Sequence, residues 1–164
     1  MTPAPELGQL RSDHRAWSNI ELRPESENVL DEIEGRQLEI VLQCERGDAT
    51  RVGLTVLRSV GGAEETKIAY DWVEQRLLVD RTRSSMSMDV ERDEQGRAFI
   101  VPEGQLLNLH IFLDGSVVEV FANDRACLTE RVYPTGADST GVHLWAEGGT
   151  ATVYSLDVWK LRSI

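Results

Sequence analysis

At 164 residues and 41% apolar composition, the chain has the size of one globular domain, and this composition argues against intrinsic disorder. The 17 Lys and Arg residues against 28 Asp and Glu give a net charge of −11, which disfavours a nucleic-acid backbone or an anionic membrane surface as a partner. The two cysteines, Cys44 and Cys127, match no metal-ligand spacing and no redox motif. We therefore predict neither a metal nor a cofactor.

The first part of the chain is more polar than the rest and carries three of the five prolines. We predict that residues 1–16 form a linker segment and that residues 17–164 form the domain, with a first candidate strand at 17–23. The chain start has neither the basic nor the apolar region of a signal peptide. If the chain is complete as given, this predicts a cytoplasmic location.

From residue 38 onward, apolar residues recur with a period of two, which is typical of strands that bury one face. Turn signals rich in Gly, Asp, Asn and Pro separate these segments at short intervals. Short strands at this spacing predict an all-β fold, a two-sheet antiparallel β-sandwich of jelly-roll or lectin-like type. The predicted strands are 38–44, 52–58, 67–70, 76–80, 98–101, 106–114, 117–123, 128–133, 142–146 and 150–161.

For the predicted hairpin between strands 106–114 and 117–123, the turn predicts which residues pair. If Asp114 and Gly115 form a two-residue turn, the favoured turn geometry pairs Leu113 with Ser116 and places His110 opposite Glu119. The second face of this hairpin then carries Phe112, Val117 and Phe121 around the His110–Glu119 pair, which is more apolar than a solvated surface. A tight turn at Asn123 and Asp124 would place Cys127 opposite Val120 on the core face.

Four segments in order resemble the C-terminal β-sandwich domain of glycoside hydrolase family 32, the invertases, levanases, inulinases and other β-fructosidases. The longest is Leu109-His110-Ile111-Phe112-Leu113-Asp114-Gly115-Ser116-Val117-Val118-Glu119-Val120-Phe121-Ala122-Asn123-Asp124, followed by Leu128-Thr129-Glu130-Arg131-Val132-Tyr133-Pro134. The others are Ile68-Ala69-Tyr70-Asp71 with Leu77-Leu78-Val79-Asp80-Arg81-Thr82-Arg83-Ser84-Ser85, and Pro3-Ala4-Pro5-Glu6-Leu7-Gly8-Gln9-Leu10-Arg11. The resemblance covers nearly the whole chain.

The resemblance implies a five-bladed catalytic propeller that precedes the sandwich and carries the catalytic carboxylates. None of the family's three catalytic motifs occurs here: Asn123-Asp124 is followed by Arg125, Arg92-Asp93 by Glu94, and Cys44-Glu45 has the reversed order. Retaining glycosidases need two carboxyl groups in one pocket, one ionised and one protonated. We therefore predict no catalytic residues and a chain that is inactive by itself.

Two functions from different classes remain open, and a jelly-roll enzyme with its own unrecognised site is a third alternative. The first is a non-catalytic domain that supports the family 32 propeller and mediates oligomer contacts, including a homo-oligomer. Its predicted interface residues are His110, Phe112, Val117 and Phe121, and it predicts an exposed apolar patch around Phe112 and Phe121.

The second function is a stand-alone module that binds a fructan or another fructose-containing sugar. Its predicted ligand residues are charged groups for sugar hydroxyls and one exposed stacking ring, with Trp145 and Trp159 expected inside the sandwich. These ligand residues are Asp80, Arg81, Arg83, Trp72 and Glu119. Structural roles are the alternative for each of them: a packing or interdomain role for Asp80, Arg81 and Arg83, and a cross-strand ion pair with His110 for Glu119.

Overall fold

A computed structural model describes residues 2–163, and these residues form two packed antiparallel sheets preceded by a short 3-10 helix, Pro5–Leu10. The strands bury alternate side chains, as the period of two predicts. The strands are β1 (Arg11–Leu22), β2 (Gln37–Glu45), β3 (Arg51–Arg58), β4 (Thr66–Asp71), β5 (Arg76–Asp80), β6 (Glu94–Ala98), β7 (Leu107–Asp114), β8 (Val117–Ala122), β9 (Ala126–Arg131), β10 (Gly141–Glu147) and β11 (Ala151–Leu161).

The six-stranded sheet has the order β1-β11-β2-β7-β8-β9, and the five-stranded sheet has the order β10-β3-β4-β5-β6. Every neighbouring pair of strands is antiparallel. The inner faces share one apolar core, to which β2 contributes Leu38, Ile40, Leu42 and Cys44. The predicted two-sheet β-sandwich is therefore confirmed. Cys44 is part of this core, and its burial raises the pKa of the thiol to about 12.

Two strand predictions are wrong at their boundaries. Strand β1 begins at Arg11, inside the segment predicted as a linker, because residues 11–22 pair along β11. Strand β6 runs from Glu94 to Ala98, so it lies almost entirely before the predicted strand 98–101. Its side chains lie at the sheet edge and lack an apolar alternation, whereas the apolar Phe99 and Val101 lie in the following loop on either side of the Tyr70 hydroxyl.

The predicted register of the β7–β8 hairpin is wrong by two residues. The turn is formed by Gly115 and Ser116, so Leu113 pairs with Val118 and His110 pairs with Phe121. Gly115 has a φ of +59°, which suits a turn with glycine at its first central position. Because the shift is an even number of residues, the inward and outward faces stay as predicted, but the proposed His110–Glu119 pair does not form.

The next turn is also longer than predicted. Residues 123–125 connect β8 to β9, so Val120 faces Leu128 and Cys127 faces Phe121 on the outer side. Cys127 is therefore half-buried outside the core, and its predicted place on the core face is wrong.

Among residues 2–163, no helix is long and apolar enough to span a membrane.

Candidate functional site

The outer face of the six-stranded sheet holds a buried carboxylate that the sequence did not reveal. Glu39 lies on β2 between Phe112 of β7 and Trp159 of β11. Arg11 donates two hydrogen bonds to its carboxylate, each 2.7 Å long, and His110 Nε2 lies 2.6 Å from Glu39 Oε1. The alternation of β2 places Glu39 on the polar face, so a solvated side chain was the natural expectation. Three strands instead enclose it.

Aromatic rings cover this carboxylate from both sides. The His110 ring stacks on Phe112 with 4.7 Å between ring centroids, and Phe121 packs edge-on against Phe112. On the other side, the Arg11 guanidinium lies 4.0 Å above the Trp159 ring, and His14 stacks on Trp159 at 4.6 Å. The rings keep water from the Glu39 carboxylate and so strengthen its electrostatic interaction with Arg11, whose own side chain stays partly exposed.

Burial alone would raise the pKa of Glu39, but hydrogen bonds from Arg11 and His110 and the positive charge of Arg11 lower it more. The resulting pKa is about 2, so the carboxylate stays ionised at neutral pH. A general acid needs a raised pKa. This group is therefore suited to holding strands together rather than to donating a proton.

The exposed apolar patch predicted around Phe112 and Phe121 is wrong. Both side chains are only 7% exposed, because His110 and the two rings cover one another. Val117 remains partly open and borders a groove of about 230 Å³ with Phe112 and Leu7. Glu119 lies opposite Phe112 and accepts a hydrogen bond from Thr129, so it faces neither His110 nor a cleft with Asp80, Arg81, Arg83 or Trp72.

The basic segment after β5 is mainly structural. Arg81 is buried, forms ion pairs with Asp93 and Glu130, and donates to the Arg131 carbonyl, so it joins the end of β5 to the residue before β6 and to β9. Asp80 accepts hydrogen bonds from the Thr82 amide and hydroxyl. Of the predicted ligand residues in this segment, only Arg83 has an exposed side chain, and it pairs with Glu65 at 3.0 Å.

The tryptophans are placed opposite to expectation. Trp72, predicted as the exposed stacking ring, is buried and packs edge-on against Tyr70 with 5.1 Å between ring centroids. Trp145 and Trp159, predicted inside the sandwich, lie on outer faces and are half-buried. Trp145 donates to Thr55 and lies across Gly53, where a Cβ atom would approach the ring to 2.6 Å. A glycine is therefore required beneath this ring.

A second buried carboxylate joins the loops at one end of the sandwich. Glu64 accepts hydrogen bonds from five neutral donors at 2.7–3.0 Å. The donors come from two distant segments and are the Met86, Thr135 and Gly136 amides and the Thr135 and Ser139 hydroxyls. Burial alone would raise the pKa of Glu64, but these hydrogen bonds lower it by more, and the resulting pKa is about 2.

The opposite end of the sandwich holds a cleft of about 570 Å³. Tyr70 and Trp72 form its inner wall, and Arg46 lies 5.9 Å from the Trp72 ring. Gln75 and Gln105 add exposed amide groups at its rim. The cleft thus carries polar hydrogen-bonding groups at its rim, above two rings that are almost fully buried.

No three His, Cys, Asp or Glu side chains within residues 2–163 are arranged to hold a metal ion.

The three buried carboxylates with lowered pKa values each have their own partners. Glu39 pairs with Arg11, Glu64 accepts hydrogen bonds from neutral donors, and Asp71 pairs with Arg51 at 2.7 Å. In Asp71, burial raises the pKa but hydrogen bonds from the Glu74 amide and Arg51 lower it more.

Comparison with known proteins gives a consistent result. Residues 6–160 match the family described as glycosyl hydrolases family 32 C terminal. A levanase from Bacillus subtilis is 32% identical, and the match covers 99% of this chain but 24% of the levanase. A sucrose-6-phosphate hydrolase from Zymomonas mobilis is 28% identical, with 99% of this chain and 31% of that protein covered. The chain thus spans about a quarter to a third of these relatives.

Solved structures show the same fold. Fructan 1-exohydrolase IIa from Cichorium intybus superposes with a TM-score of 0.85 at 16% identity, covering 99% of this chain and 38% of that one. Exo-inulinase from Aspergillus awamori gives 0.78 at 23% identity, covering 93% and 29%. The resemblance identified from the sequence is confirmed: the chain belongs to the family of C-terminal domains of the family 32 glycosyl hydrolases.

Proposed function

We propose that this chain is the accessory domain of a β-fructosidase and that it packs against and supports the catalytic domain of the same polypeptide. The observation that carries this proposal is the match of residues 6–160 to a C-terminal domain family, together with relatives three to four times longer than the chain. The catalytic propeller is thus the proposed partner.

The state of the buried carboxylates supports a role without chemistry. Retaining glycosidases use two carboxyl groups about 5–5.5 Å apart, one of them with a raised pKa. Glu39, Glu64 and Asp71 instead have lowered pKa values, and each is held by its own fixed donors. We expect the isolated chain to hydrolyse neither sucrose nor levan.

The proposed contact surface includes the edge of the outer sheet face. Of the four residues predicted there, Val117 and His110 are partly exposed, while the two phenylalanines are buried and reinforce the sheet beneath them. The division into a linker and a domain is also part of the proposal. We place the boundary at Arg11, where β1 begins, rather than at residue 16.

The test is a fusion in which residues 2–163 replace the corresponding domain of the Bacillus subtilis levanase. We expect one cooperative thermal transition, and a catalytic domain that unfolds about 5 °C higher than it does when mixed with the separate chain. Calorimetry measures both. Two independent transitions, with the catalytic domain unfolding at the same temperature in fusion and mixture, would overturn the proposal.

A second candidate function is fructan binding, which the cleft at Tyr70 and Trp72 favours. The exposed amides of Gln75 and Gln105 at its rim suit a sugar, whose hydroxyls exchange hydrogen bonds with them, although Tyr70 and Trp72 are too buried for a sugar ring to stack on. The test is retardation on affinity gels containing levan or inulin. We expect Gln75→Ala and Gln105→Ala to abolish the retardation and Gln95→Ala, outside the cleft, to preserve it. No retardation of the unaltered chain at millimolar fructan would exclude this function.

Arg81 and Trp72 are unsuitable for that test, although the sequence suggested them. Both side chains are buried and hold the sandwich together, so their replacement by alanine would report on folding.

A further inference from the structure

Most of the large apolar side chains that are exposed among the described residues lie at one end of the sandwich. Four of the seven are on loops around Glu64: Val60 (83% exposed), Met86 (62%), Met88 (79%) and Tyr133 (46%). We call this group the loop-end patch. Exposed apolar side chains that cluster in this way mark interaction surfaces more often than isolated ones do.

The loops that carry the patch are held in place by the Glu64 carboxylate. Met86 donates its own amide to Glu64, and Tyr133 lies two residues before Thr135, which donates both its amide and its hydroxyl. Val60 follows Ser59, whose hydroxyl accepts the Glu64 amide proton. The patch is therefore ordered before any partner arrives, which lowers the entropy that binding would cost.

The patch lies at the end of the sandwich where the N-terminal segment meets the domain. The Arg36 guanidinium donates to the Gly136 carbonyl at 2.6 Å, and the next residue, Gln37, borders the groove that also contains Leu7 and Leu10. The Tyr70–Trp72 cleft lies beyond the other end of β2, at Glu45, on the order of 25 Å away.

We propose that the loop-end patch is the surface on which the catalytic domain of the same polypeptide docks. This inference rests on the proposed function and adds these loops to the contact surface proposed above. A domain joined through residues 2–10 is tethered at this end, so its effective concentration is highest beside these loops. The unbranched methionine side chains adapt to an irregular partner surface, and Arg83 and Arg92 at the rim offer charged contacts.

The two methionines provide the test, because Met86 and Met88 are the only methionines other than Met1. Hydroxyl-radical footprinting compares the isolated chain with the levanase fusion described above. We expect oxidation of Met86 and Met88 to slow by about fivefold in the fusion, since a docked interface excludes water. Val73 and Ile100, exposed at the opposite end, are the internal controls and should change less than twofold.

A pair of variants gives an independent measurement. Met86→Glu with Met88→Glu should leave the Tm of the isolated chain within about 1 °C but lower that of the fusion by about 4 °C, because charges would be buried at the contact. Val73→Glu with Ile100→Glu is the matched control and should not lower the Tm of the fusion.

The outcomes separate the two proposals. If the fusion unfolds in one coupled transition while Met86 and Met88 stay unprotected, the docking surface is wrong and the accessory function stands. If the domains unfold independently, the accessory function fails and the inference fails with it. If the isolated chain is a dimer in which these methionines are already protected, the occupant is a second copy and the inference is overturned.

Discussion

Glu39 and Glu64 are both 1% exposed carboxylates with a pKa near 2, yet the protein stabilises their charges in different ways. On the outer sheet face, Glu39 is neutralised by a guanidinium and contacts an imidazole. At the loop end, the donors to Glu64 are backbone amides and hydroxyls that carry no net charge.

The difference shows what each carboxylate does. An ion pair between strands that are already hydrogen-bonded adds to a sheet that exists without it. The donors to Glu64 belong to irregular loops, and their amides have no strand partner that could replace the carboxylate. We therefore expect Glu64 to be the more important of the two for folding.

Acidification should affect both sites and produce the largest change in stability. Each pKa is lowered from about 4.5 to about 2, so each ionised form contributes stability above pH 4.5 that is lost as the pH falls through 2. A shift of this size corresponds to about 3 kcal/mol per group, or about 6 kcal/mol together. Urea unfolding between pH 7 and pH 2 measures it, and a free energy of unfolding that stays constant over this range would contradict the assignment.

Glu64→Gln should lower the free energy of unfolding by about 3 kcal/mol, because the amide presents an NH₂ group to donors that need an acceptor. Urea unfolding at pH 7 measures the loss. Glu32→Gln is the control, since Glu32 is exposed and its 3.4 Å ion pair with Arg15 is worth less than about 0.5 kcal/mol. If the free energy of unfolding of Glu64→Gln lies within about 1 kcal/mol of that of the unaltered protein, Glu64 does not hold the loops.

The sequence predicted the sheets well because their information is local. Alternating apolar residues such as Leu38, Ile40 and Leu42 specify which face of β2 turns inward, whatever its neighbours are. The β7–β8 register was harder, because Asp114-Gly115 and Gly115-Ser116 are both acceptable turns. Moving between them shifts every pair by two residues without changing the faces.

The two carboxylate sites were not predictable in the same way, because their information is distant. Glu64 lies in a Gly-rich and acidic segment that has the composition of an exposed loop, but its donor Ser139 is 75 residues away. Glu39 lies 28 residues from Arg11 and 71 from His110. Only the order of strands in the sheet brings these three together. No spacing in the chain signals either site.

Glu39→Gln should cost about 2 kcal/mol, less than Glu64→Gln, because Arg11 is one-third exposed and can turn toward water when it loses its partner. Adding Arg11→Met should cost little more than Glu39→Gln alone, since the interaction is already lost. Urea unfolding of the two single variants and the double variant measures this coupling. Equal or larger losses for Glu39→Gln than for Glu64→Gln would reverse the ranking of the two sites.

Added salt should change the contribution of Glu39 to stability but not that of Glu64, and this is the smallest of the predicted effects. At 1 M salt the screening length falls to about 3 Å, so the partly exposed Arg11–Glu39 pair should lose about 0.5 kcal/mol of its contribution. Neutral donors hold Glu64 through short, directed hydrogen bonds, which added ions do not replace. The loss caused by Glu39→Gln should therefore shrink between 0.05 and 1 M NaCl, while that caused by Glu64→Gln stays constant. General salt effects on apolar burial cancel, because each loss is a difference from the unaltered chain in the same buffer. Equal salt dependence in both variants would mean that the two carboxylates are stabilised by the same kind of interaction.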